Sequence, residues 1–265
     1  MNARVDILVL ILLFIFGVIY AYLTKNLFIG KGIIVAAVYI IPSIIYLHIR
    51  AKLNWPKIIV SALVFGGLFG FFFEFIQEYT HAYVVTSSVF PFKILGVLPP
   101  DNVIAHIMMT ALTIAFYQRF ISHKESKSIS KFIVIPAIFS LLAIVILLII
   151  FFVSPSLLQI PLPYFLMGLA AILFPILLGI FRPRFIKNMA LISIYFFSLY
   201  FFAELTAVNL NWWIYPGNNY IGWVTVFNTT FPFEEFFFWM MFYAATLISY
   251  YEVWVNNDIT DLLKS

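Results

Sequence analysis

"FPFEEFFFWMM", residues Phe231 to Met241, sets two adjacent carboxylates, Glu234 and Glu235, in front of one of the most apolar runs in the chain. The apolar character continues to about residue 254, the roughly twenty residues that a membrane-spanning helix requires. One acid at such a helix start has an ordinary explanation: it complements the helix dipole, Pro232 suits the first turn, and Thr229 and Thr230 are candidate caps. The second is harder to place, because neighbours on a helix point about 100° apart and only one of the two can serve that role.

The rest of the chain has the same character. Its 265 residues are 64% hydrophobic and 20% aromatic, with a mean hydropathy of +1.07, which excludes a soluble domain. Runs of about twenty apolar residues predict helices near 5–23, 32–49, 58–77, 102–121, 132–153, 163–181, 189–208 and 234–254. The fold expected is therefore an all-α integral membrane protein of about eight transmembrane helices. The opening run is too long for a signal-peptide core and lacks a small-residue cleavage site, so it counts as the first span. Of the fifteen Lys and Arg residues, twelve lie at the N-terminus, near 50–57, 119–131 and 182–187, and in the C-terminal tail; Lys25, Lys31 and Lys93 lie on the other side. The positive-inside rule then predicts a multi-pass protein of the cell membrane with both termini cytoplasmic and the segments 77–101 and 209–234 facing outward. Short basic clusters of this kind report orientation, not nucleic-acid binding. With no cysteine, disulfides, thiolate metal sites and thiol nucleophiles are all absent.

The two halves match at a nearly constant offset. Pro42 precedes "RAK" and Lys57 as Pro175 precedes "RPR" and Lys187, and Glu74 with Tyr83 nine residues on corresponds to Glu204 with Trp213 nine on. "LPPDN" (Leu98 to Asn102) corresponds to "FPFEE", and Tyr117 to Tyr250. This predicts two four-helix modules, 1–122 and 132–265, joined by a basic linker at 123–131. An even number of spans in each makes the repeats parallel, related by an axis along the bilayer normal. In that arrangement Glu74 and Glu204 sit about one turn, roughly 5 Å, below the outer helix ends. Asp101, Glu234 and Glu235 start the following helices, so four or five carboxyl groups converge in the outer part of the bundle. Leaving them ionised and unpaired there would cost several kcal/mol each.

Plainer readings compete for each feature. Glu74 and Glu204 could serve as hydrogen-bonding glue between helices. His81 and His106 could bond locally rather than move protons, and no ligand cluster accompanies them. "GGLFG" (Gly66 to Gly70) has the spacing that lets helices approach closely. Trp212, Trp213, Tyr215, Tyr220 and Trp223 read as an interfacial belt, or, turned inward, as a pocket that stabilises a cation. "NTT" at Asn228 is formally a glycosylation sequon, too close to the membrane to weigh.

Glu204, "NWWIYP" (Asn211 to Pro216), "FPFEEFFFWMM" and the closing "YYE" (Tyr250 to Glu252) together resemble the membrane-integral lycopene cyclase family. In that family two homologous helical modules close rings on the ends of linear carotenoids, and a Pro-x-Glu-Glu opens an aromatic-rich helix. The resemblance is concentrated in 204–252 and thins over 74–117. It departs from the family at Asp101-Asn102, where an amide replaces the second acid, and in having four spans per module where three are expected. It also extends to related hydratases of carotenoid ends. The resemblance implies Glu234 and Glu235 as primary acids, Pro232 as the turn former, and Asp101 as the counterpart in the first module.

Ring closure of an isoprenoid end needs a proton delivered to a terminal C=C, a carbocation shielded from water, and a base that removes a proton afterwards. Carboxyl groups kept neutral by apolar surroundings and by one another are the expected tool. The candidate catalytic residues are Glu234, Glu235, Glu204, Glu74 and Asp101, with Glu234 or Glu235 as donor. The candidate substrate-binding residues are Trp212, Trp213, Tyr215, Pro232, Phe238, Asn102 and His106. No metal or cofactor is implied. The partners expected are a lipophilic polyene such as lycopene and membrane lipid, with self-association left open. A proton-coupled transporter is the main rival, although it favours inverted repeats and acids at the midplane. A retinal protein would need a lysine inside a span. A polyprenyl transferase would need two Asp-rich magnesium sites, for which "NDITD" (Asn257 to Asp261) is at most one.

Overall fold

The computed structural model describes residues 3–122 and 128–256. Most of the basic linker and the "NDITD" stretch lie outside the described residues. Among the described residues, seven helices are long and apolar enough to cross a bilayer: α1 (Ala3–Thr24), α2 (Gly32–Arg50), α3 (Trp55–Tyr79), α4 (Pro100–Phe120), α5 (Lys131–Val153), α6 (Pro163–Phe181) and α7 (Pro183–Asn209). The chain is thus an all-α, multi-pass membrane protein. A proline in the first turn starts α3, α4, α6 and α7, where its missing N–H has no bond to lose.

The expected eighth span differs from the others. Residues 235–256 are continuously helical (α8), with wide π turns at Glu235–Phe242 and Glu252–Asn256 around an α-helical middle, Tyr243–Tyr251. Among its apolar residues this helix carries Glu235, Glu252, Thr246, Ser249 and three tyrosines. The surroundings explain why that composition is tolerated. α8 packs against α4, α6 and α7, and Tyr243 through Ser249 are all buried, so protein rather than lipid solvates its polar groups. The outermost helices show the converse. α5 and α1 leave Phe139, Leu142, Phe152, Leu8 and Leu12 more than half exposed, as a lipid-facing helix should.

Close approach of α3 to α4 depends on "GGLFG". A Cβ on Gly66 would lie 2.6 Å from the carbonyl oxygen of His106 and 2.7 Å from the Cα of Ile107, and one on Gly70 would lie 3.0 Å from the His106 Cβ. The glycines therefore set the distance at which His106 is held. At the opposite end of the bundle the fully buried Asp6 accepts hydrogen bonds from Arg50 (2.8 Å), Tyr46 (2.9 Å) and Arg119, tying α1, α2 and α4 together.

Four short strands, which hydropathy did not predict, close the end that carries the acids. β1 (Val84–Val85), after α3, pairs antiparallel with β2 (Trp213–Ile214), after α7. β3 (Trp223–Val226) and β4 (Thr229–Pro232) form a hairpin. Its two-residue turn, Phe227-Asn228, has φ of 47° and 61°, the doubly left-handed geometry that matches strand twist. Thr229 and Thr230, expected to cap α8, are instead strand residues of this hairpin. The chain leaves α3 and α7 in the same way, through a left-handed residue, His81 (φ 55°) and Asn211 (φ 52°). The Ala82 and Trp212 N–H groups donate back to the carbonyls of Gln77 and Ala207 at 2.9 and 2.8 Å, a Schellman-type ending in both places.

Candidate active site

A cavity of about 280 Å³ lies beneath these strands and is lined by residues of α1, α2, α3, α4, α6, α7 and α8. Four carboxyl groups reach its wall: Glu74, Asp101, Glu204 and Glu235. Glu74 and Glu204 each stand five residues before the last residue of α3 and α7, so the shared helix endings return the chain over them.

Three of the acids each take a hydrogen bond from a tyrosine. Tyr83 donates to Glu74 Oε2 and Tyr164 to Glu235 Oε2. Tyr215 donates to Glu204 Oε1 at 2.7 Å, and the Trp213 indole N–H reaches the same oxygen at 3.1 Å. The β1–β2 register is the cause of part of this grouping: Val84 faces Ile214, so continuing the ladder sets Tyr83 opposite Tyr215. The rings of Tyr83, Tyr164 and Tyr215 stand 6.3–6.5 Å apart, pairwise. Enclosure by protein, and next the charge of Glu204, push the Tyr215 hydroxyl well above the ordinary phenol range, so it remains a donor at physiological pH.

Glu74 is the most heavily bonded of the acids. Asn102 donates from Nδ2 to its Oε2 at 2.7 Å and approaches Tyr83 Oη at 2.6 Å. His106 Nε2 lies 2.7 Å from Oε1, and His106 Nδ1 lies 2.7 Å from Tyr243 Oη. Glu74, His106 and Tyr243 thus form a carboxylate, imidazole and phenol chain along the cavity wall. Trp239 roofs it, with ring centroids 6.1 Å from Tyr164 and His106 and 5.6 Å from Tyr243.

The remaining acids hold loops. Asp101 Oδ2 accepts the Val89 N–H at 3.0 Å, and Glu234 Oε1 accepts the Ile221 N–H at 2.7 Å. Asp101 lies in the first turn of α4 and Glu234 immediately before α8, and each binds a backbone N–H twelve or thirteen residues upstream. Glu234 is fully buried but does not line the cavity, which corrects the expectation that either member of the pair could serve there: the helix turns Glu235 inward and Glu234 toward the loop. Pro232 and Phe238 do not line the cavity either. Pro232 pairs with Trp223 in the hairpin, and Phe238 presses on Gly168 of α6, where a Cβ would sit 2.3 Å from its ring. Trp212, Trp213, Tyr215, Asn102 and His106 do line it.

Tyr164, Trp239 and Tyr243 were not singled out from the sequence. A signal existed for two of them: Glu235, Trp239 and Tyr243 are spaced by four, which places them on one face of a helix. Tyr164 is positioned only by the packing of α6. Among the described residues, no three His, Cys, Asp or Glu side chains are grouped so as to hold a metal ion. The chain matches no protein-family model, no curated protein and no solved structure.

Proposed function

We propose that this protein is a membrane enzyme that cyclises the acyclic ends of polyene hydrocarbons by protonation, as the membrane-integral lycopene cyclases do. The observation that carries this reading is the meeting of Glu74, Glu204 and Glu235 in one aromatic, largely apolar cavity, each under a tyrosine hydroxyl. A hydrocarbon gives an enzyme nothing to grip but shape and π faces, and its alkene is a base weak enough to need a strong, oriented acid.

In this scheme Glu235 enters as the neutral acid and passes its proton to the terminal C=C, leaving a tertiary carbocation. The next double bond attacks that carbon, a ring C–C bond forms, and the charge moves into the ring. Trp239, Tyr164 and Trp213 present π faces that stabilise it, and the apolar walls keep water away. A ring proton then leaves to the Glu74–His106 pair, in which Tyr243 and Asn102 fix the imidazole and the carboxylate. One proton is gained and one lost, so the step is redox-neutral. Glu204 shares the Tyr164–Tyr215 region with Glu235 and tunes it.

The two parallel four-helix modules belong to this proposal. Support comes from the matching helix endings at His81 and Asn211, the matching loop-binding acids Asp101 and Glu234, and the pairing of β1 with β2. So does placement in the cell membrane with cytoplasmic termini, supported by the Lys and Arg distribution.

The test is expression in a cell that accumulates acyclic carotenoid. The reading expects cyclic pigment from the wild-type chain and a loss of at least about 10²-fold in Glu235→Gln. Unchanged acyclic pigment with the wild-type protein present in the membrane would refute it, and a product that has gained the elements of water would mark a hydratase instead.

A further inference from the structure

The cavity wall is made of more than the acid cluster. Beyond Glu74, Glu204 and Glu235 it continues toward α1, α2 and α7 along Val18, Ala36, Leu199 and Ala203, an arm whose walls carry no carboxyl group. The strand-capped side of this arm is sealed, because Ala21, Val35, Ala207 and Trp212 pack together there. At Val18 and Ala203 the two helices line the cavity instead, and both residues are half-buried. Their neighbours Ile19 and Phe202 point outward, 52% and 50% exposed. At this level α1 and α7 each present one residue to the cavity, Val18 and Ala203, and the next to lipid, so the wall between them is one residue deep. The size of the chamber adds a second constraint. At about 280 Å³ it lies just under the range of pockets that enclose a drug-sized molecule, a fit for one end of a long polyene.

We propose that the gap between α1 and α7 is a lateral portal through which a polyene end reaches the acids from the bilayer, that one end is bound at a time while the rest of the molecule stays in lipid, and that Ala203 sets the width of the portal. This rests on the polyene reading above and adds to it the route and the binding mode. A substrate with two reactive ends must leave and return to have both processed.

The test measures binding rather than turnover. Protein in nanodiscs is titrated with a linear conjugated polyene hydrocarbon, and with the same polyene carrying a bulky glycosyl ester at one end. Energy transfer from Trp213 and Trp239 to the polyene is the readout. Because only one end enters, the two probes should bind within about twofold of each other. Ala203→Phe should weaken both by about tenfold or more, and Val18→Phe should do the same from the facing wall. Ile194→Phe, on the lipid face of α7 (70% exposed), should leave binding unchanged. The portal is wrong if the capped probe fails to bind where the free one does, or if Ala203→Phe melts at the wild-type temperature and binds like wild type. Tight binding of both probes without ring formation would leave the portal standing and remove the cyclase reading.

Discussion

Glu234 and Glu235 are adjacent in sequence and opposite in environment. One faces the cavity under Tyr164, and the other closes a loop by accepting the Ile221 N–H. Substitutions should therefore separate them. Glu234→Gln keeps an acceptor for Ile221 and should retain ring formation, whereas Glu234→Ala removes that hydrogen bond and should cost about 0.5–1.5 kcal/mol in thermal unfolding. Glu235→Gln should do the reverse, melting close to wild type while pigment analysis finds no cyclic product. Tyr164→Phe removes one donor from Glu235 and should slow the reaction by about tenfold or more without changing the product. The quoted stretch had shown that two acids stood where one was needed. Which of them serves the cavity depends on the rotation of α8 about its own axis, which packing sets and hydropathy does not record.

At the scale of single elements, the glycines of α3 make the sharpest contrast. Gly66→Ala would drive a methyl group into the backbone of α4 at His106 and Ile107 and should destabilise by about 1–3 kcal/mol. Gly67→Ala, whose nearest neighbours would be 3.7–3.8 Å away, should be tolerated or should stabilise slightly, since glycine within a helix costs about 0.5–1 kcal/mol relative to alanine. Thermal melts in one detergent decide the comparison. The GxxxG spacing was legible as a close-approach device. What it brings together was not, because a spacing names one partner only. The histidine on the other helix had an equally plain reading as a local hydrogen-bonding group, and only its distances to Glu74 and Tyr243 distinguish the two. The strands were illegible for a different reason: two- and four-residue ladders leave almost no periodicity, and the hairpin "WVTVFNTTFP" (Trp223 to Pro232) sits among aromatics that suit an interfacial belt equally well.

Across the whole molecule, hydropathy located every lipid-facing helix, since exposure to hydrocarbon selects apolar residues all round. It placed the last predicted span as well, and 235–256 is helical, but it gave no sign that this helix is enclosed by other helices. The buried Asp6 also acts at this scale, as it fixes α1 to α2 and α4. Asp6→Asn should lower the melting temperature, and more so than Val5→Ala on the exposed face of the same helix. Orientation can be read directly because the chain has no cysteine: single cysteines at Lys52 and Asn218, both exposed, should react with impermeant maleimide from opposite sides of the membrane, Asn218→Cys from outside. Enclosure of α8 also bears on how the protein is made. Glu235, Trp239 and Tyr243 all come from α8, which follows α1 to α7 along the chain and is synthesised after them. The pocket wall is therefore complete only once α8 has packed against α4, α6 and α7, and a nascent chain stalled before it lacks the proposed proton donor.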